Sequence, residues 1–394
     1  MKVTFFSNFL NHHQLPFCLE LSKMLGNDFK FVATEKIPTE RLALGYDDMN
    51  TKYDFVIRAY EDIEAAYKYG EISDVVIIGS SPSCYIKKRI KQKKLTFRYS
   101  ERIFRNGVNL KVWLALVKNY TIGERKNVYL LCSSAYSTRD FNIAGAYIGK
   151  CFKWGYFPEV KHYDLDELFT KKAKNNKVKI IWVARFLELK HPEKVIELAK
   201  RLKNDKIHFS IEMIGIGPLY NEISLSIESN NLTNEVKLLG AINNKDVRKH
   251  MEESNIFLFT SDYNEGWGAV LNEAMNSGCA VVASHAIGSV PFLINHGING
   301  LVYKDGSFSD FYEKTKDLIL NKEKQIEYGK NAYYTMTRYW NAEYATKKLL
   351  ELSKCLLNNK QLSNIDDGPC SKAKFIWQSK MYDIVTNKSN IKGK

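Results

Sequence analysis

The feature that most constrains this chain is an alternation, run through twice, of short apolar runs with amphipathic stretches. In the first half, KVTFFS (2–7), FKFVAT (29–34), YDFVIRAY (53–60), DVVIIGSS (74–81), LTFRYSER (95–102) and VYLLCSS (128–134) have the length and the Val, Ile and Phe content of strands. QLPFCLELSKML and IEAAYKYG read as helices between them. The second half repeats the plan with KIIWVARF (179–186), FSIEMIGIG (209–217), VKLLGAI (236–242), NIFLFTS (255–261) and CAVVASH (279–285), and PEKVIELAKRLK (192–203) as a helix. Strands that alternate with helices build parallel, doubly wound sheets. The expectation is an α/β chain with two Rossmann-like domains, at residues 1–155 and 156–340, and a C-terminal helix and tail over 341–394 that can return to the first domain. The stretch 153–177 has aromatic and Pro punctuation followed by a Lys/Asn run, and reads as the linker. Two such domains suggest a cleft, with ligands at the C-terminal strand ends where the strand order switches.

Composition narrows the class. Of 394 residues, 45% are apolar and 26% charged, which excludes a mainly disordered chain. No apolar run approaches the length of a membrane span, and MKVTFFSNFLNHH reads as a buried first strand and not as a signal peptide. Seven Cys without a C-x-x-C pair fit a reduced, cytoplasmic compartment and argue against structural zinc.

The net charge of +14 is unevenly spread. Residues 81–160 hold 16 basic and 4 acidic side chains, whereas residues 1–80 hold 8 and 12. The densest part is KKRIKQKK at 87–94. Anionic lipid, nucleic acid and an anionic substrate all suit such a block, as does a plain solvated helix face. With Tyr85, Ile86, Ile90 and Leu95 beside it, the block has the makeup of a segment that dips into a headgroup layer. No nucleic-acid-binding module is visible, so no nucleic-acid partner is expected.

Three constellations carry chemistry. In SDYNEGWGAVLNEAMNSG (261–278), Glu265 and Glu273 are separated by seven residues, on a helix expected to start near Gly266 to Gly268. Two carboxylates about two turns apart can accept hydrogen bonds from two polyol rings, and the glycines let backbone approach a ligand. A helix cap and an exposed Glu are the plainer reading. In WVARFLELKHPEK (182–194), Arg185 and Lys190 flank a strand tip and a helix that Pro192 opens. Two cations there make an anion clamp suited to a diphosphate, or simply a solvated surface. Gly215 and Gly217 of MIGIGPL form a strand-end turn, without the third glycine of a dinucleotide fingerprint.

Taken in this order and spacing, RFLELK (185–190), GIGP (215–218), EGWGAVLNE (265–273), GCAVVAS with GSVPFLI (278–294) and HGINGLVY (296–303) resemble the C-terminal domain of family 4 (group 1) retaining glycosyltransferases of the GT-B fold. The match is good over roughly 178–305. KWGYFP at 153–158 resembles the linker of bacterial members. The resemblance implies a nucleotide-diphosphate sugar as donor, with Arg185 and Lys190 on the leaving diphosphate and Glu265 on the transferred sugar. Glu273 would then hold the ribose, and Gly215, Gly217, Gly266, Trp267 and Gly268 would line the donor. It implies no cofactor and no metal; no D-x-D motif stands where one would be used. It also implies a glycan or lipid-linked acceptor in bacterial surface polysaccharide synthesis, and a peripheral position at the inner face of the membrane. The N-terminal match is looser: SNFLNHHQLPF (7–17) stands where many members have a Gly-Gly pair. Asn8, His12, His13 and Glu101 are the acceptor-side candidates, with helix-capping residues and a local Glu101–Arg102 ion pair as the alternative. Rival readings are a sugar-nucleotide epimerase on the same fold, a nicotinamide-dependent oxidoreductase and a nucleic-acid binder.

Overall fold

A computed structural model describes residues 1–387 except 40–41, 43–46, 125–126, 175–176 and 361–365. The chain divides into two units. One comprises Met1–Glu159 with Trp340–Ile376, the other Val160–Tyr339 with the segment from Trp377 onward.

Among the described residues, the first unit holds seven strands: β1 (Val3–Ser7), β2 (Phe29–Ala33), β3 (Val56–Arg58), β4 (Val75–Ile78), β5 (Thr96–Ser100), β6 (Val128–Cys132) and β7 (Cys151–Lys153). They pair in parallel, in the order β3-β2-β1-β4-β5-β6-β7. The described residues of the second unit hold six: β8 (Val178–Val183), β9 (Phe209–Ile214), β10 (Val236–Gly240), β11 (Ile256–Phe259), β12 (Ala280–Ser284) and β13 (Leu301–Tyr303). These too are parallel, in the order β10-β9-β8-β11-β12-β13. Every residue of β1, β4, β11 and β12 is buried, as expected of parallel strands covered on both faces. Each sheet has one place where the strand order reverses, between β1 and β4 and between β8 and β11. Loops leaving those neighbouring strands diverge to opposite faces, which opens a crevice at the strand ends.

Short elements escaped the sequence pattern. β7 lies at the start of the segment read as a linker; three residues are too few to show a period. Its free edge is taken up by the tail. The Lys153 N–H donates to the Ser371 carbonyl (2.8 Å), the Cys370 N–H donates to the Lys153 carbonyl (2.8 Å), and Lys153 pairs with Asp367. An edge so covered offers no template for another strand. Further along the supposed linker, Leu165–Ala173 is a helix. The Asp164 side chain caps it, accepting from the N–H groups of Asp166 (2.9 Å) and Glu167 (3.1 Å).

The basic segment 87–94 is not the surface feature its composition suggests. Ile86 and Leu95 are buried, and Tyr85 and Ile90 pack against the cluster of Phe6, Val32, Val76 and Ile78. Arg89 is fully buried, donating to the Asp74 carbonyl (2.7 Å) and the Thr96 hydroxyl (3.0 Å), and burial holds its pKa down to about 10. Lys88 pairs with Glu71 (2.6 Å), and Lys94 donates to the Glu71 carbonyl (2.6 Å). The apolar residues expected in a headgroup layer are therefore core residues, because the short helix Lys87–Lys91 turns that face toward the sheet. Arg89→Ala is expected to lower stability by about 3 kcal/mol, since it strips several buried oxygens of their donor. Lys91→Ala, one half-turn away and exposed, is expected to change it by less than about 0.5 kcal/mol. Chemical denaturation of the two variants checks the contrast.

Candidate functional site

In the second unit, the residues singled out from the sequence gather where β8 and β11 diverge. After Val183 the chain turns through Arg185 to a single 3-10 turn, Glu188–Lys190. The Ala184 N–H donates to the Ile214 carbonyl (3.1 Å) and the Phe186 N–H to the Ile216 carbonyl (3.0 Å), so the exits of β8 and β9 lie against each other. Glycine makes this approach possible. Gly215 has φ +132, and a Cβ there would collide with the Ala184 carbonyl; one at Gly217 would sit 2.5 Å from the Phe186 carbonyl oxygen. These two glycines are thus required first by the chain itself.

A buried relay fixes the far end of the turn. The Trp182 indole N–H donates to the Thr260 hydroxyl (2.8 Å), which donates to the Lys190 carbonyl (2.6 Å). The Lys190 ammonium pairs with the Glu265 carboxylate, which also accepts from the Ser261 hydroxyl (3.0 Å). Lys190 follows β8 and Glu265 follows β11, so this ion pair spans the place where the strand order reverses. His191 closes the turn at φ 50, a left-handed conformation rarely adopted by residues other than Gly, with its ring on the Glu193 carboxylate (2.6 Å). Pro192 then opens the next helix, Pro192–Asn204. Arg185 is exposed at the tip, and its guanidinium has no side-chain partner among the described residues.

The helix carrying Glu273 is Val270–Asn276, and it begins later than Gly266 to Gly268. Glu265 consequently lies in a loop, so the two carboxylates do not share a helix face; Lys190 and Ser261, not helical periodicity, place Glu265. Gly268 (φ +75) ends that loop against Phe259, where a Cβ would clash. Gly266 is buried, and so is Trp267, whose indole donates to the Asn272 side chain (2.9 Å). The ring anchors the loop in the core instead of presenting a face to a ligand. The carboxylate of Glu273 accepts no hydrogen bond among the described residues. Burial pushes its pKa above the usual range, and the Arg248 guanidinium pulls the other way.

Sequence reasoning passed over Tyr263, His285 and Arg248. The Asp305 N–H donates to His285 Nδ1 (3.0 Å), which puts the ring proton on Nε2, facing the Tyr263 hydroxyl at 2.7 Å. Burial lowers the pKa of His285, so a neutral imidazole ties the Glu265 loop to the end of β12. Its position directly after an apolar strand was the only signal for it. Arg248 is buried on the helix Asn244–Glu253 and bonded to Asn276.

In the first unit, Asn8, His12 and His13 lie in the loop after β1, and Glu101 directly follows β5. Asn8 accepts from the Ser7 hydroxyl (3.2 Å). The Asn11 side chain, not either histidine, accepts the N–H groups of His13 (3.0 Å) and Gln14 (3.1 Å) ahead of the helix Leu15–Leu25. The two imidazoles have centroids 3.8 Å apart, and His13 stacks on Tyr156 (5.7 Å, 7°). The Tyr156 hydroxyl donates to Glu101 (2.7 Å), so a tyrosine read as linker punctuation joins the β1 loop to the end of β5. Glu101 pairs with Arg105 and not with Arg102, which is buried against Asp140 (3.6 Å). Among the described residues, no three His, Cys, Asp or Glu are grouped to hold a metal ion.

Glu273 gives the site a pH dependence. Its raised pKa means that the folded chain binds more protons than the unfolded one just above the usual Glu range, so stability falls as pH rises through that window. Glu273→Gln, which cannot ionise, is expected to raise the melting temperature near about pH 7 and to lose that advantage below about pH 4. Melting curves of both proteins across this range check the sign.

Comparison with known proteins bears on the fold and on one stretch of the chain. Residues 164–335 match the family model described as glycosyl transferases group 1. Amylovoran biosynthesis glycosyltransferase AmsK of Erwinia amylovora is 31% identical over 141 residues, which is 34% of this chain and 34% of AmsK. The chain thus spans only about a third of that relative's length in the match. Among solved structures, Anabaena HepE in complex with UDP superposes with a TM-score of 0.67 at 16% identity, covering 90% of this chain and 100% of HepE. The lipopolysaccharide outer core galactosyltransferase WaaB, in its apo form, gives 0.66 at 15% identity, covering 90% and 100%. The chain has the GT-B fold of two parallel-sheet units, and its residues 164–335 match the group 1 glycosyl transferase model.

Proposed function

We propose that this protein transfers a sugar from a nucleoside diphosphate sugar to a hydroxyl acceptor, with retention at the anomeric carbon, in the assembly of a surface polysaccharide. The observation that carries this reading is the Lys190–Glu265 pair across the reversal of strand order, beside the exposed Arg185. A departing nucleoside diphosphate concentrates negative charge, and fixed cations stabilise it without reorganisation. In the free protein Lys190 is neutralised by Glu265. A bound diphosphate competes for that ammonium, joins Arg185, and releases the Glu265 carboxylate to accept hydroxyl hydrogens of the transferred sugar. Glu273, without a hydrogen-bond donor of its own among the described residues, takes the ribose hydroxyls. No carboxylate is assigned as a nucleophile, so the acceptor attacks from the face the leaving group vacates. The acceptor is assigned to the first unit, where Asn8, His12, His13 and Glu101 gather at the ends of β1 and β5.

Support for the nucleotide comes from HepE, solved with UDP, and support for a polysaccharide pathway from AmsK. A lipid-linked glycan acceptor and a peripheral place at the inner face of the membrane belong to the same proposal. No helix among the described residues is long and apolar enough to cross a membrane. The family match is to transferases, which disfavours an epimerase on this fold.

UDP is expected to raise the melting temperature by mass action, and a panel of UDP-sugars to identify the donor. Arg185→Ala is expected to cut transfer about a hundredfold, near 3 kcal/mol of transition-state stabilisation, with an unchanged melting temperature because the side chain is exposed. Turnover close to wild type in that variant would remove Arg185 from the mechanism. Because side-chain cations neutralise the diphosphate, transfer is expected to persist in EDTA; activity lost to EDTA and restored by Mg²⁺ or Mn²⁺ would show that a divalent ion takes that part.

A further inference from the structure

The helix Leu110–Leu116, continued by a π-helical segment Val117–Ile122, packs through one side only. The Trp113 indole donates to the Ile143 carbonyl (3.0 Å), Leu116 is buried, and the Thr121 hydroxyl donates to the Ala144 carbonyl (2.6 Å). The rest of its apolar surface faces solvent. Leu110 is 69% exposed, Leu114 53% and Ile122 59%, and Val108, just before the helix, is 53% exposed. Ile148, 68% exposed, lines the same depression as Tyr120 and Thr121 and extends the patch past the helix end. A row of large apolar side chains held in water is a mark of an interaction surface.

The charges around this row favour one occupant. Between Glu101 and Glu124 the sequence has no acidic residue. Glu101 is paired with Arg105, and Glu124 is buried with Arg98. Lys111 and Lys118 are exposed on the helix and have no ion-pair partner among the described residues. The face is therefore apolar and edged by two cations without an ion-pair partner among the described residues, and residues 102–123 contribute no carboxylate to it. A second copy docking through the same face would set like charges against each other. An anionic lipid surface satisfies both features at once: acyl chains take the apolar row, and headgroups meet the ammonium groups.

We propose that residues 108–122 are the membrane-docking surface of this protein, lying along the headgroup layer of an anionic bilayer. The inference deepens the peripheral placement proposed above and does not depend on the donor chemistry. It also moves the contact away from residues 87–94, whose apolar side chains belong to the core.

The test is co-sedimentation of the full chain with vesicles of phosphatidylglycerol and phosphatidylcholine, and with vesicles of phosphatidylcholine alone. Wild type is expected to bind the anionic vesicles, more weakly as salt rises. Leu110→Gln/Leu114→Gln/Ile122→Gln is expected to bind at least about tenfold more weakly, because the lost contacts are apolar. Lys87→Gln/Lys91→Gln/Lys93→Gln is expected to stay within about twofold of wild type. All three changes in the first variant are at exposed positions, so its melting temperature and its shift with UDP should match wild type. Retained UDP response with lost vesicle binding supports the docking surface. Equal binding by wild type and the Leu/Ile variant overturns it. So does failure of wild type to bind anionic vesicles, and so does self-association that the variant abolishes, which would make the face a protein interface. If UDP gives no shift in any protein while vesicle binding follows these expectations, the donor reading fails and the docking surface stands.

Discussion

The ion pair between Lys190 and Glu265 is the contact on which the site of the second unit depends. Its side chains are only 16% and 12% exposed, so either charge left alone would carry a desolvation cost of several kcal/mol. Each therefore holds the other at the strand ends, on opposite sides of the one place where the strand order reverses. The neighbouring features all act to locate these two charges. Thr260 fixes the carbonyl of Lys190, Ser261 donates to Glu265, and the buried ring of Trp267 pins the loop between Glu265 and its helix. Gly215 and Gly217 allow the exits of two strands to touch, and Gly268 allows the loop to turn against Phe259.

The pair also links structure to chemistry. Under the proposed function, a site for a diphosphate needs cations, and cations facing each other without a counter-charge would repel and destabilise the fold. Pairing Lys190 with Glu265 avoids this, and the proposal has that contact exchanged for substrate contacts. Arg185 stays exposed and unpaired among the described residues, which costs little because water solvates it. His285, neutral and buried, adds a connection from the Glu265 loop to β12 that brings no further charge into the site.

Charge and hydropathy had to be read together with burial to have meaning. The densest basic run of the chain owes part of its composition to folding: Arg89 satisfies carbonyls beneath the sheet, Lys88 and Lys94 fasten onto Glu71, and the isoleucines face inward. An apolar surface that remains in water lies some twenty residues further along, in a segment with fewer cations, where Leu110 and Leu114 are exposed and Leu116 is buried. Counting charges along the chain pointed to a helix whose apolar side chains belong to the core. A short helix with mixed composition can turn either face inward, and only its neighbours determine which.

The sequence by itself determined the two-sheet α/β plan, because strands buried on both faces must be apolar throughout and the helices between them must be amphipathic. It also placed the candidate residues Arg185, Lys190, Glu265, His12, His13 and Glu101 in segments that follow strands, which is where the structure has them. Short-range patterns could not reveal the rest. β7, which ends where the presumed linker begins, and the helix Leu165–Ala173 within that linker went unread, because three residues show no period and a capped helix of nine resembles a polar run. The helix of Glu273 starts later than the glycines suggest, and Trp267 turns inward, because Phe259 and Asn272 decide that loop from elsewhere in the chain. The pairing of Lys190 with Glu265 across 75 residues, of Glu101 with Arg105 in place of Arg102, and of His13 with Glu101 through Tyr156 was decided only by tertiary structure. Strand order sets which loops become neighbours, and strand order is a property of the assembled sheet, invisible to any local window of sequence.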